Sequence, residues 1–167
     1  MAAVSELIGR TLTPGLLDLL ARRMPVLVVA TVNPDGSPHT APYNQFGAPD
    51  PGHLFLAINR QDHTYANLCA RGLAGLALLE EGDVAISMRT RARVLQEQMV
   101  SNCNLAVVEF TIEEIKRDNS PHYLVTQGVR TRLREEPFLL QQRRLMAELA
   151  AVARGRPTDL AVEREEA

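Results

Sequence analysis

Residues 25–42 read Pro-Val-Leu-Val-Val-Ala-Thr-Val-Asn-Pro-Asp-Gly-Ser-Pro-His-Thr-Ala-Pro. The β-branched run at residues 26–32 is too short for an ordinary helix and is bounded by turn residues, which predicts a buried strand. The Asn-Pro-Asp-Gly sequence at 33–36 is a strong turn signal, because proline presets the first turn position and glycine adopts the left-handed conformation that closes a hairpin. The chain is therefore expected to return antiparallel through residues 37–44, in a strand that its two prolines make irregular.

Short strands and turn signals continue after this hairpin, and helices flank them. Thr13 and Pro14 have the residue types of a helix cap and a first helical position, and Pro25 ends that helix. We predict further helices over residues 63–71 and 137–154 and a loop over 47–52. Strands are predicted over 53–58, 73–79, 105–115 and 122–126, and a long strand is predicted around 88–94. Because closing a sheet removes its exposed edges, this pattern favours one antiparallel barrel.

Length, charge and cysteine content exclude several classes of protein. The chain has 167 residues, which is typical of one domain, and its formal net charge of -2 supplies no broad positive field for nucleic acid. The two cysteines are far apart, which argues against a zinc knuckle or a disulfide framework and favours the cytoplasm. The start of the chain lacks an export signal, and the longest apolar stretch is far shorter than a membrane span. We therefore expect a soluble cytoplasmic protein that binds neither nucleic acid nor membrane.

The segment that follows the 53–58 strand has the residue types of an anion site. The first amides of a helix lack internal partners and carry the positive end of its dipole, so they receive a phosphate well. A guanidinium, a hydroxyl and a side-chain amide could join them, from Arg60, Thr64 and Asn67. An imidazole at His63 would add charge only if it were protonated. The alternative is an ordinary helix cap, in which the Asp62 carboxylate satisfies those amides itself.

The order of the 25–42 hairpin, a strand, and then His63-Thr64-Tyr65-Ala66-Asn67-Leu68 resembles the FMN-binding split β-barrel superfamily. Its members include pyridoxamine 5′-phosphate oxidase and flavin-reductase-like proteins. The resemblance implies a mainly β, single-domain antiparallel split barrel with flanking helices. It also implies a homodimer with FMN at the interface and an oxidoreductase whose substrate is unknown. The residues expected to bind the cofactor are Thr40, Ala41, Tyr43 and Asn44 along the flavin ring, and Asn59, Arg60, His63, Thr64 and Asn67 around the phosphate.

On this basis the chain divides into three segments. Residues 1–24 form an N-terminal helical segment, residues 25–134 an FMN-binding split-barrel domain, and residues 135–167 a C-terminal amphipathic helix with a polar tail. The apolar face of that last helix needs a surface to cover it, which is a second reason to expect a dimer.

The chain also departs from pyridoxamine 5′-phosphate oxidase itself. That enzyme has a basic pair where this chain has His63-Thr64, and its C-terminal stretch contains tryptophan and arginine, whereas this chain has no tryptophan. Oxidation of vitamin B6 is therefore not expected. A deazaflavin-dependent reductase and a non-catalytic flavin or haem carrier remain alternatives, because no nucleophile or metal motif assigns a reaction.

Arginines at alternate positions of the long strand have two interpretations. Arg89, Arg91 and Arg93 either form a solvated outer face or line a dimer interface beside an anionic ligand. Arg130 is a weaker candidate for the same role. Cys103 is expected to be structural, because no neighbour in sequence would lower the pKa of its thiol.

Overall fold

The computed structural model describes residues 5–155, which form eight strands and three helices. The strands are β1 (Glu6–Gly9), β2 (Leu27–Val32), β3 (Pro38–Tyr43), β4 (Phe46–Asp50), β5 (His53–Asn59), β6 (Leu73–Glu80), β7 (Val84–Gln96) and β8 (Leu105–Arg117). The helices are α1 (Pro14–Arg23), α2 (His63–Arg71) and α3 (Phe138–Ala153). The mainly β, antiparallel, single-domain fold that the sequence predicts is confirmed.

The β2–β3 hairpin forms as its turn residues predict. Gly36 has a φ of +87°, and the Asn33 N–H donates to the Ser37 carbonyl at 2.9 Å. The expectation of an irregular second strand is wrong, since β3 pairs with β2 in unbroken register. Proline is tolerated at Pro38 and Pro42 because a backbone N–H at either position of β3 would point away from β2, toward the unpaired edge of the strand. Thr40 lies midway between the two prolines, so its N–H points to the same unpaired edge.

The strands form one antiparallel sheet whose two ends are joined directly by the chain. Its order is β3-β2-β6-β7-β8-β5-β4, and β1 pairs with β8. Only Asn44 and Gln45 separate β3 from β4, although these strands lie at opposite ends of the sheet. So short a link requires the sheet to curl until its ends meet. β3 and β4 are not paired with each other, so the barrel is split.

Strand β5 is buried on both faces, because the barrel interior lies on one side of it and α3 on the other. Leu54, Leu56 and Ile58 belong to the main core inside the sheet. Phe55 and Ala57 pack in a second cluster with residues of α3, among them Leu145 and Leu149. The later turns of α3 are therefore covered within the chain, whereas Phe138, Leu139 and Leu140 in its first turn remain about half exposed.

Three predictions about local structure are wrong. Residues 122–126 are not a strand, because the Val125 N–H and C=O bond to the Asp83 side chain and backbone instead of a neighbouring strand. The predicted 47–52 loop contains most of β4, an edge strand whose pairing with β5 is interrupted between Gly47 and Asp50. Strand β1, which lies in the segment predicted to be helical, was not anticipated.

Candidate functional site

Helix α2 packs on the inner face of the β2–β3 hairpin, and a buried amide fixes its position. The Asn67 Nδ2 donates to Thr31 Oγ1 at 3.0 Å and to Asn33 Oδ1 at 2.9 Å. Asn67 is only 3% exposed, so the donors have no access to bulk water. These bonds join α2 to the end of β2 and to the turn. The side-chain amide that was expected to contact a ligand is thus occupied in holding the helix.

The start of α2 has no side-chain cap. Asp62 occupies the cap position with an extended backbone, but among residues 5–155 its carboxylate accepts no bond from a helix amide. The Asp62 Oδ2 lies instead 3.5 Å from the hydroxyl of Tyr43 on β3. The interpretation of this segment as an ordinary cap is therefore wrong. Its first-turn amides remain available to an anion.

A histidine on β3 completes the group of side chains at this helix start. His39 Nε2 lies 3.2 Å from the hydroxyl oxygen of Thr64, which is fully buried. The His39 ring is also 5.7 Å from the ring of His63, measured between centroids. Sequence analysis did not select His39 as a site residue. The alternation of side chains along a strand could have identified His39, because it lies on the same face of β3 as the predicted residues Ala41 and Tyr43.

Arg60 brings a buried donor to the loop that leads into α2. Its backbone N–H donates to the Asn104 carbonyl at 2.9 Å, which fixes the loop against the start of β8. Its Nε is buried and has no hydrogen-bond partner within the described residues. A buried donor without a partner carries a free-energy penalty that an anionic ligand would remove. The preceding residue, Asn59, accepts the Gln61 N–H at 2.9 Å and shapes the same turn.

The other predicted residues on β3 are divided between the two faces of the sheet. Ala41 and Tyr43 lie on the inner face, opposite Val29 and Leu27, and burial raises the pKa of the Tyr43 hydroxyl above its ordinary value. Thr40 is exposed on the outer face. The Asn44 Nδ2 donates to Thr131 Oγ1 at 3.2 Å, so the chain after β8 returns to the end of β3.

The arginines of β7 are exposed and paired with glutamates of β8. Arg91 Nε lies 2.5 Å from Glu113 Oε1, and Arg93 Nε lies 2.7 Å from Glu109 Oε1. Arg89 contacts two glutamates, at 3.4 and 3.5 Å. Within one chain these arginines and glutamates form a row of ion pairs that is exposed to solvent. That the arginines line a dimer interface stays a prediction.

Arg130 has a different partner, the fully buried carboxylate of Glu80, which it meets with two nitrogens at 2.7 and 2.9 Å. The hydrogen bonds from Arg130, with smaller contributions from the backbone of Glu81 and Gly128, lower the pKa of Glu80 by more than its burial raises it. Arg130 thereby anchors the segment between β8 and α3, and its charge is already compensated.

Other kinds of site are not found in the described part of the chain. Residues 5–155 contain no group of three or more His, Cys, Asp or Glu side chains that could hold a metal ion. Both cysteines are exposed and unbonded. No helix within this range is long and apolar enough to cross a membrane.

Comparison with known families gives a match over residues 14–117, from α1 to the end of β8, with the model of pyridoxamine 5′-phosphate oxidase. The chain belongs to that family. The match covers every strand of the sheet except β1 and includes the start of α2. It does not include α3 or the segment that precedes α3. No curated protein sequence matches the chain.

Several solved structures share this fold. A Lactobacillus delbrueckii protein, provisionally named a pyridoxamine 5′-phosphate oxidase, has a TM-score of 0.57 and 22% identity over 66% of this chain and 98% of its own. HupZ of Group A Streptococcus has a TM-score of 0.54 and 17% identity, covering 72% of this chain and 99% of its own. An F420 reductase has a TM-score of 0.51 and 15% identity, covering 62% of this chain and 98% of its own.

Proposed function

We propose that this chain binds FMN, with the phosphate at the start of α2, and acts as a flavin-dependent oxidoreductase. The observations that carry the proposal are the uncapped start of α2 and, in the loop that leads into it, the buried Nε of Arg60, which has no hydrogen-bond partner within residues 5–155. Both features leave donors that an anion would satisfy, and membership of the family supplies the expectation of a flavin nucleotide. The Thr64 hydroxyl and the His39 ring would add hydrogen bonds to the same group.

The residues along β3 suit the ring of a flavin. Among the described strands β3 pairs only with β2, so the Thr40 N–H and the neighbouring carbonyls on its outer edge can bond polar atoms of a planar ligand. Ala41 offers a small side chain on the inner face. When bound, FMN supplies hydride or single-electron transfer, and the protein contributes binding, orientation and nearby charge.

The first experiment is an absorbance spectrum of the purified protein, followed by titration with FMN. Twin bands in the near-ultraviolet and blue, or saturable quenching at about one equivalent per chain, are expected from a flavin site of this kind. If FMN did not bind at high micromolar concentration, the proposal would fail, and the same titration with the deazaflavin F420 and with haem would test the two alternatives. Steady-state turnover with a nicotinamide donor and an electron acceptor then distinguishes an enzyme from a flavin store.

Thr64→Val is expected to weaken FMN binding by about 1–2 kcal/mol, because valine keeps the buried volume but lacks the hydroxyl that would meet the phosphate. Thr64→Ser is the matched control, since it keeps the hydroxyl and loses only a methyl group. Calorimetric dissociation constants for both variants provide the test. Equal affinity in Thr64→Val and the unchanged protein would remove Thr64 from the site.

We also propose that the chain forms a homodimer through the outer face of β2 and β6. This face is apolar yet exposed, and the β2–β6 register places Val28 directly opposite Ala77. Contiguous exposed apolar patches are typical of association surfaces. Its members are Val28, Ala30 and Val32 on β2, with Leu73, Ala77 and Leu79 on β6. The exposed ends of this patch, Leu73 and Leu79, are 48% and 60% accessible.

Ala77→Glu places a charge in the centre of that face and is expected to convert the dimer to a monomer, because the partner would have to bury an unpaired carboxylate. Leu7→Glu is the control, since Leu7 is also exposed but lies on β1, away from β2 and β6. Sedimentation velocity at tens of micromolar would measure both. A wild-type monomer, or a dimer that Ala77→Glu leaves intact, would contradict this interface.

A further inference from the structure

The first turn of α3 and the segment before it carry exposed apolar and basic side chains that the proposed flavin site does not use. We propose that they form a docking surface for an acidic electron-transfer protein, which delivers electrons to the bound flavin. The docking surface consists of Arg132, Arg134, residues 138–140, Arg143 and Arg144, all of them exposed. This inference rests on the proposed function, and it names the class of electron donor.

Two hydrogen bonds bring the separate parts of the docking surface together. The Asn44 Nδ2 donates to Thr131 Oγ1 at 3.2 Å. The next residue, Gln45, donates from its Nε2 to Gln142 Oε1 of α3 at 2.7 Å. The segment before α3 and the second turn of α3 therefore meet at the same two-residue link between β3 and β4. The residue that follows each of these two contacts along the chain is an arginine of the docking surface.

The same link lies at the ring end of the proposed flavin site. His39, near the start of β3, lies beside Thr64 at the proposed phosphate position. The proposed ring position extends from there along β3 toward Asn44. A protein docked on this surface would therefore lie beside the ring and not beside the phosphate. Electron transfer between proteins requires their redox groups to be close, so this placement suits an electron donor.

The charge of the docking surface is opposite to that of the whole chain. Residues 129–147 contain five arginines and two glutamates, Glu135 and Glu136, whereas the chain has a formal net charge of -2. One of these arginines, Arg130, pairs with the buried Glu80, and the other four make no ion pair within residues 5–155. Such guanidinium groups attract an acidic partner and speed its encounter with this side of the protein.

Phe138, Leu139 and Leu140 give the docking surface an apolar centre. They are about half exposed, although the later turns of the same helix pack against β5. Leu140 and Arg144 are four residues apart and so share one side of α3. Aromatic and arginine side chains are both enriched at protein interfaces, and electron-transfer complexes use small interfaces of this kind. The surface therefore fits a protein partner whose contact area is apolar at its centre and acidic at its edge.

The proposed transfer balances in electrons and protons. Two molecules of a reduced one-electron carrier each give up one electron and leave oxidised, and two protons from water complete the two-electron reduction of the flavin. No side chain of the docking surface exchanges an electron or a proton. Arg132 and Arg143 act only by binding the carrier.

The first test measures binding of a plant-type ferredoxin, an acidic one-electron carrier, to the full chain by calorimetry, without and with FMN. We expect the dissociation constant to rise on the order of tenfold between about 20 and about 300 mM salt. Arg132→Gln/Arg143→Gln should raise it on the order of tenfold at the lower salt concentration. Arg10→Gln/Arg154→Gln is the matched control, because it removes the same charge from exposed positions outside the docking surface and should change binding less than about twofold.

The second test follows the blue absorbance of the FMN-loaded protein during anaerobic reduction. Reduced ferredoxin at a concentration below its dissociation constant should reduce the flavin on the order of tenfold more slowly in Arg132→Gln/Arg143→Gln than in the control variant. Dithionite, a small reductant that needs no docking surface, should reduce both variants at the same rate. Equal rates with ferredoxin would overturn the proposal.

The remaining outcomes separate the docking surface from other roles. Ferredoxin that does not bind, or that binds Arg132→Gln/Arg143→Gln as tightly as the unchanged protein, would overturn the proposal, as would equally tight binding of the basic carrier cytochrome c. Loss of a dimer in this variant, or loss of binding to phosphatidylglycerol vesicles without any ferredoxin binding, would assign the surface to a second copy or to a membrane and also overturn it. Ferredoxin binding without FMN binding would instead overturn the proposed function.

Discussion

Glu148→Ala is expected to lower the free energy of unfolding by about 2–4 kcal/mol, because the fully buried carboxylate of Glu148 accepts from three donors at the end of β7 and in the β7–β8 connection. Its Oε1 accepts from Gln96 Nε2 at 2.8 Å and from the Val100 N–H at 2.7 Å, while Oε2 accepts from the Ser101 N–H at 2.7 Å. Alanine would leave these part-buried donors without an acceptor. Chemical denaturation, followed by circular dichroism, measures the change.

Two further variants distinguish lost hydrogen bonds from a general weakening of α3. Glu148→Gln keeps the size of the side chain and one acceptor oxygen, so its effect should be intermediate, near 1–2 kcal/mol. Arg144→Ala changes an exposed residue of the same helix and should cost less than about 0.5 kcal/mol. If Glu148→Ala were no more destabilising than Arg144→Ala, the carboxylate would not be holding the connection to α3.

Asn67→Ala is expected to lower the free energy of unfolding by about 2–3 kcal/mol and to weaken FMN binding as well. The stability loss follows from removal of two buried hydrogen bonds, to Thr31 and Asn33, that attach α2 to the hairpin. The binding loss follows because Thr64 and His63 are placed by that helix. Asn67 is in this interpretation a positioning residue and not a ligand to the cofactor. Denaturation and FMN titration on the same preparation would measure the two effects together.

The isosteric variant Asn67→Asp tests the reason for these losses. Aspartate has the same shape but cannot donate to Asn33 Oδ1, so it should destabilise the protein at least as much as alanine does. The control Ala66→Ser changes an exposed neighbour on α2 and should remain within about 0.5 kcal/mol of the unchanged protein. An Asn67→Asp variant as stable as the unchanged protein would show that shape, not donation, holds the helix.

The candidate site illustrates what residue type and spacing can identify and what they cannot. The sequence predicted an anion site at the start of α2 because a strand, a turn and an N-terminal helix sequence follow each other within a few residues. It could not determine that Asp62 leaves the helix amides free, since a capping residue type does not fix the direction of its side chain. It also did not reveal that the Asn67 amide is engaged by β2 and the adjoining turn.

The sequence by itself determined the β2–β3 hairpin, the three helices and most of the strands, because turn chemistry and hydrophobic periodicity act over only a few neighbouring residues. Tertiary structure alone decided the curling of the sheet and the edge strand β4, since both depend on where distant strands pair. It also decided that the β3 histidine meets Thr64, 25 residues further along the chain. A contact across that separation depends on how α2 packs against the curled sheet, and no local pattern of residues encodes it.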